Sequence, residues 1–157
     1  MIERLLPRQV DNRFDGHRAA LWLLGLFIAL KLVMSVNSIF NTASVAAGAD
    51  GIPLESFGPA AAREVLTLFA LNALGQLALA LIGLTILIRY RALVPFIYLV
   101  SLGEQLARRL IVQSHAAARA ESAVAWYVIY GFLALAALGL VLSLIPRRKR
   151  DAAPSAA

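Results

Sequence analysis

The sequence predicts an all-α integral membrane protein: a four-helix transmembrane bundle with its N- and C-termini on the cytoplasmic side. Three observations carry that expectation. Hydrophobic residues make up 61% of the 157-residue chain and mean hydropathy is +0.76, outside the range of soluble globular domains. Four apolar stretches reach the length of about 20 residues that a helix needs to cross the hydrocarbon, where an open backbone finds no hydrogen-bond partner. The basic residues sit at the ends of those stretches instead of covering a polar face. A net charge of +6 therefore reads as membrane orientation and excludes a nucleic-acid partner.

The expected spans are about 19–40, 64–88, 92–113 and 123–145, within a transmembrane domain of residues 19–146. Arg4, Arg8, Arg13 and Arg18 precede the first span, Arg89 and Arg91 sit between the second and third, and Arg147, Arg148, Lys149 and Arg150 follow the fourth. The opposite side holds Arg63 and Arg119 beside Asp50, Glu55, Glu64 and Glu121. By the positive-inside rule the first set faces the cytoplasm. Trp22 and Tyr90 then fall at the inner boundary and Trp126 and Tyr127 at the outer one, as amphipathic rings prefer. Arginine dominance over lysine, with abundant alanine and leucine, suggests a bacterial inner membrane. Small residues from Ser44 to Ala49 resemble a signal-peptide cleavage site, but a first span of over twenty residues containing Lys31 is too long for a signal core.

Outside the spans, residues 1–18 form a cytoplasmic tail. Ile2, Leu5, Leu6, Val10 and Phe14 recur near helical spacing, so a helix from Pro7 to Gly16 lying on the membrane surface competes with an irregular polar tail. The outer loop 41–63 contains Gly48, Gly51, Pro53, Gly58 and Pro59 and should turn repeatedly. Its apolar residues Ile52, Leu54 and Phe57 suggest folding back over the bundle mouth, against the alternative of a plain connector. Pro59 is suited to start the second helix early. Residues 147–157 read as a basic, disordered cytoplasmic tail.

Ionisable groups inside a span are costly and normally face protein or trapped water. Lys31, Gln76 and Glu104 each lie thirteen residues from the inner-boundary arginine of their helix, Arg18, Arg89 and Arg91 respectively. All three fall at about 20 Å of helical rise, which predicts an ion pair between Lys31 and Glu104 with Gln76 beside it. Asn37, Asn72, Arg108 and Tyr130 form a second layer farther out. Together these seven residues form a polar wedge that opens outward and closes below Lys31. Arg108 and Arg109 have an alternative, since both can snorkel to the outer headgroups. Gly139 and Ser143, four apart, suit close packing of the fourth helix.

No catalytic, cofactor-binding or metal-binding residue is identified. The chain has no cysteine, which removes thiol chemistry. His17 and His115 fall at opposite boundaries and cannot both ligate one haem. Glu104 by itself is too little for a di-carboxylate metal centre. The leading expectation is a non-enzymatic membrane protein: a small subunit, scaffold or assembly factor that packs against other membrane helices in a homo-oligomer or larger complex. The rival is a binding or transport protein whose wedge takes a proton or a small anionic or amphipathic ligand, such as a lipid or quinone. In that reading Lys31 and Arg108 contact the ligand and Glu104 sets the charge balance.

Overall fold

The computed structural model describes Leu5, Pro7 and residues 10–115 and 123–146. Four long helices dominate it: α1 (Ala19–Phe40), α3 (Pro59–Arg89), α4 (Val94–His115) and α5 (Ala123–Leu144), with a short α2 (Thr42–Gly48) after α1. Among the described residues there is no named strand, and one isolated bridge joins Gly16 to Pro146. Three helices are long and apolar enough to cross a membrane: Ala19–Phe40, Pro59–Arg89 and Tyr127–Leu144. Helix α4 matches α1 and α5 at 22 residues but carries Glu104, Arg108 and Arg109.

Helix boundaries follow local chemistry. Pro59 occupies the first turn of α3 after an extended Gly58, where its missing N–H costs nothing. The helix therefore begins five residues before the expected span. Arg89 sits in the last turn of α3, favourably placed against the helix dipole. A single 3-10 turn, Arg91–Leu93, then leads into α4, and Arg91 Nε donates to the Leu87 carbonyl at 3.0 Å. A connection this short makes α3 and α4 antiparallel.

Apolar groups gain little from leaving lipid for protein, so helix association there relies on close packing and hydrogen bonds. Both are concentrated toward the end that carries Arg18, Arg89 and Arg91, here called the basic end. Ala20, Leu24, Ile28, Ile86, Val94, Ile97 and Tyr98 form the main buried cluster. Tyr98 is fully buried, and its hydroxyl donates to the Ala20 carbonyl at 2.7 Å, tying α4 to α1. Its ring lies against Gly139 of α5, where an added Cβ would overlap it. Ser143 is also buried, its hydroxyl donating to the Leu140 carbonyl at 2.7 Å. Gly139 and Ser143 thus form the close-packing stripe expected of the last helix.

The N-terminal segment corrects one expectation. Residues 10–15 are not helical; they run irregularly beneath the basic end and are held by tertiary contacts. The Ala92 N–H donates to the Asp11 carbonyl at 3.2 Å, and the His17 N–H donates to the Leu142 carbonyl at 3.1 Å. Phe14 packs on the main cluster. Gly16 passes so close to the Ser143 carbonyl that a Cβ would collide with it. An interfacial helix would have forfeited these bonds. The other expected tail, 147–157, lies outside the described residues.

At the opposite end, here the loop end, the connection after α1 does fold back. Ala46 of α2 is fully buried, and the Ile52 N–H donates to the Ala46 carbonyl at 3.0 Å. Gly51 makes the turn between them with a φ of 62°, a conformation that glycine adopts without a Cβ penalty.

The four seams between helices are unequal. Helix α1 packs extensively along α3 and α5, and α5 along α4, whereas α3 and α4 approach each other sparsely despite the short turn that joins them. They meet near that turn, where Ile86, Val94 and Ile97 share the main cluster. Farther toward the loop end they part.

Candidate ligand-binding cleft

Four of the seven predicted polar residues meet in one hydrogen-bonded cluster. Lys31 Nζ donates to Gln76 Oε1, and Gln76 Nε2 donates to Glu104 Oε1 at 2.8 Å. Arg108 adds two bonds to the same carboxylate oxygen, from Nε at 2.9 Å and Nη2 at 2.7 Å. Lys31 Nζ also lies 3.8 Å from Glu104 Oε2. The Lys31 to Glu104 pairing is therefore present, with Gln76 bridging α1 and α4 from α3. Helical spacing explains part of this, because Glu104 and Arg108 are four apart and share a face.

Burial decides how strong these contacts are. The Lys31 side chain is 13% exposed and that of Glu104 25%, so solvent screens the pair far less than a surface salt bridge. Two aromatic rings complete the Lys31 environment. Its ammonium sits 5.9 Å from the Phe27 centroid and 5.3 Å from that of Phe132, within cation–π range. Those rings stack edge to face at 5.3 Å and, with Ala136, form a second buried cluster. Phe27 is one turn before Lys31, a spacing visible in the sequence. Phe132 comes from another helix, and no local pattern announces it.

Below Lys31 the helices close. The small void bounded by Leu24, Ile28, Leu79, Gly83 and Ile97, with Lys31, Gln76 and Ser101, has room for about 10 Å³, on the order of a single water molecule. Above the cluster lies a cavity of about 540 Å³. Its floor is polar, with Glu104 and Arg108 beside Asn72 and Gln105; one turn farther out come the apolar Phe69, Ile111 and Val112. Asp50 and Ile52 of the folded-back loop also line it, with Ile129 of α5. This cavity fills the gap where α3 and α4 diverge.

The chain matches no protein-family model, no curated protein and no solved structure at a significant level. Its chemistry therefore has to be read from the cleft itself.

The remaining predicted residues divide. Asn72 lines the cavity but stands apart from the hydrogen-bonded cluster. Asn37 is exposed, and its Oδ1 accepts from Asn41 Nδ2 at 2.8 Å at the end of α1. Tyr130 is 51% exposed and is not among the residues lining the cavity. Asn37 thus stands outside the hydrogen-bonded cluster, and Tyr130 outside the cavity lining. The snorkelling alternative needs correction for Arg108. Arg108 turns inward to Glu104, and Nε of Arg109 is buried at the cavity wall. Turning Arg108 away would strip this partly buried carboxylate of its closest cationic partner, and removing one partner of a buried pair is strongly destabilising.

Among the described residues no group of three metal-ligating side chains converges. The arrangement supplies hydrogen-bond donors, fixed positive charge and an adjoining apolar chamber, which are the components of a binding site for an amphipathic molecule.

Proposed function

We propose that this chain is a multi-pass protein of a bacterial inner membrane, crossing the bilayer with all four long helices, with both termini cytoplasmic. It binds a small amphipathic ligand in the cleft between α3 and α4. The observation that carries this reading is the 540 Å³ cavity with its polar floor and apolar walls. Orientation rests on the concentration of basic residues beside the termini and the α3–α4 turn. For α4 the support is the distribution of its polar groups. Leu99, Leu106 and Leu110 are exposed along one side, while Glu104 and Arg108 pair with each other on the protein side. A helix that hides its charges in this way presents an apolar surface to lipid.

Native mass spectrometry of the full chain extracted from membranes tests the binding reading. The expected result is a bound amphiphile that is absent from an Ile111→Trp variant. Ile111 lines the cavity yet is 60% exposed, so the larger ring can enter the cleft without disturbing the packed end. A wild-type chain as bare as the variant refutes the proposal.

The scaffold reading retains one supporting observation. Only 11% of the apolar window of α3 is buried, against 28% for α1 and 22% for the candidate span in α5. Much of α3 is thus available to a helix of another chain. A stoichiometric partner chain in place of an amphiphile in the same spectrum favours that role.

A further inference from the structure

We infer that the small void on the basic-end side of Lys31 is a binding site for one water molecule, held by Lys31, Gln76 and Ser101. The void shares no lining residue with the cleft above it, so the inference goes beyond the binding reading and does not depend on it.

Ser101 is the first support. It is 3% exposed, and a hydroxyl buried without a hydrogen bond is costly. Ser143, Thr67 and Thr85 return their hydroxyls to carbonyls of their own helices, at Leu140, Arg63 and Leu81. Ser101 does not: among the described residues its hydroxyl has no partner, and Ser101 borders the void. Ser35 is the other buried serine without such a bond, and it does not border the void.

Lys31 is the second support. An ammonium carries three N–H donors. One goes to Gln76 Oε1, while Glu104 Oε2, at 3.8 Å, is beyond hydrogen-bond distance. The Phe27 and Phe132 rings attract the charge but offer no lone pair. A water in the void accepts from Lys31 and donates to Gln76 Oε1, which has a second lone pair, and to Ser101 Oγ. Buried waters typically make about three such bonds, and a volume of about 10 Å³ suits one of them. The same features exclude other small occupants: the ammonium repels a metal cation, and chloride is larger than the space. With the water in place, α1, α3 and α4 are joined at two levels, at Glu104 and one turn below it at Ser101.

Magic-angle-spinning NMR of the full chain, labelled with nitrogen-15 lysine and reconstituted in phosphatidylcholine liposomes, tests the inference. Lys31 and Lys149 are the two lysines of the chain, so a Lys149→Arg background leaves a single Nζ signal. Magnetisation started on water protons should reach that signal in this background. It should fall by roughly threefold or more in Ser101→Val, which removes the hydroxyl and fills the space of one water. If Ser101→Val does not fold, Gly83→Ala provides the second arm and should give the same fall. Its added Cβ lies 3.3 Å from Ile28 and 3.7 Å from Ile97, which takes up space in the void and leaves all three polar partners intact. Transfer undiminished by the void-filling substitution means that Lys31 meets water in the cleft above, and overturns the proposal. Absence of transfer before any substitution means a dry void and overturns it equally. A shift of the Nζ signal when chloride is exchanged for gluconate identifies an anion as the occupant, which also contradicts the assignment.

Discussion

The seam between α4 and α5 and the seam between α3 and α4 share a helix and have opposite characters. Along the first, Gly139 lets the Tyr98 ring approach the α5 backbone, and Phe132, Ala136 and Leu102 interlock nearby. Along the second, Phe69 faces Ile111, Val112, Arg108 and Arg109 across a cavity. Membrane helices close where small residues let their backbones approach and hydrogen bonds cross the gap. Large and charged side chains in the loop-end half of the second seam hold it apart. Antiparallel neighbours joined by a three-residue turn, Arg91–Leu93, are therefore adjacent without being packed along their length. The same contrast separates what stabilises the molecule from what is available for function.

That contrast breaks most severely at the charge cluster between the two regions. Glu104→Gln leaves Lys31 and Arg108 without their carboxylate, and removing one partner of a buried pair typically costs about 3–5 kcal/mol. Partial exposure places this site near the lower figure, about 3 kcal/mol. Lys31→Met should also destabilise, and the double variant should recover at least about 1 kcal/mol relative to the sum of the singles, measured by reversible unfolding in detergent. Strict additivity would mean that the two charges are not coupled.

Gly139→Val tests the closed seam. Overpacking against Tyr98 should cost about 1–3 kcal/mol, read as a lower Tm. A smaller effect is expected of Tyr98→Phe, which removes the hydrogen bond to the Ala20 carbonyl and leaves that acceptor buried, at roughly 1–2 kcal/mol. The smallest effect belongs to the open seam. Ile111→Ala should change stability by less than about 0.5 kcal/mol while weakening ligand binding. A large stability loss there would show that the second seam is packed after all.

Much of the site was legible because depth along a helix follows from counting residues. Lys31, Gln76 and Glu104 share a level whichever way each helix runs. Depth does not give direction around the helix, and Asn37 and Tyr130 differ from the clustered residues in that missing coordinate. Asn37 is six residues beyond Lys31, which places it about 120° around α1 from the cluster. Tyr130 is two residues before Phe132, so with Phe132 facing Lys31 it points to nearly the opposite side of α5. The apolar lining of the cleft was hidden for another reason: Phe69, Ile111 and Val112 look like any lipid-facing residues until the separation of the helices is known. In the N-terminal segment, apolar spacing suggested a surface helix. The bonds that set its conformation run to Ala92 and Leu142, far away in the chain and invisible to local periodicity.

The proposed binding of an amphipathic molecule in the α3–α4 cleft is tested most directly by whether that seam opens toward lipid. Because the chain contains no cysteine, a Val112→Cys variant can be labelled with bimane at a single point in the cavity wall and reconstituted in nanodiscs. An open lateral cleft predicts strong quenching by phosphatidylcholine brominated in its acyl chains and little by aqueous iodide. Quenching by iodide without quenching by brominated lipid would mean that the cavity faces water, contradicting an opening toward lipid.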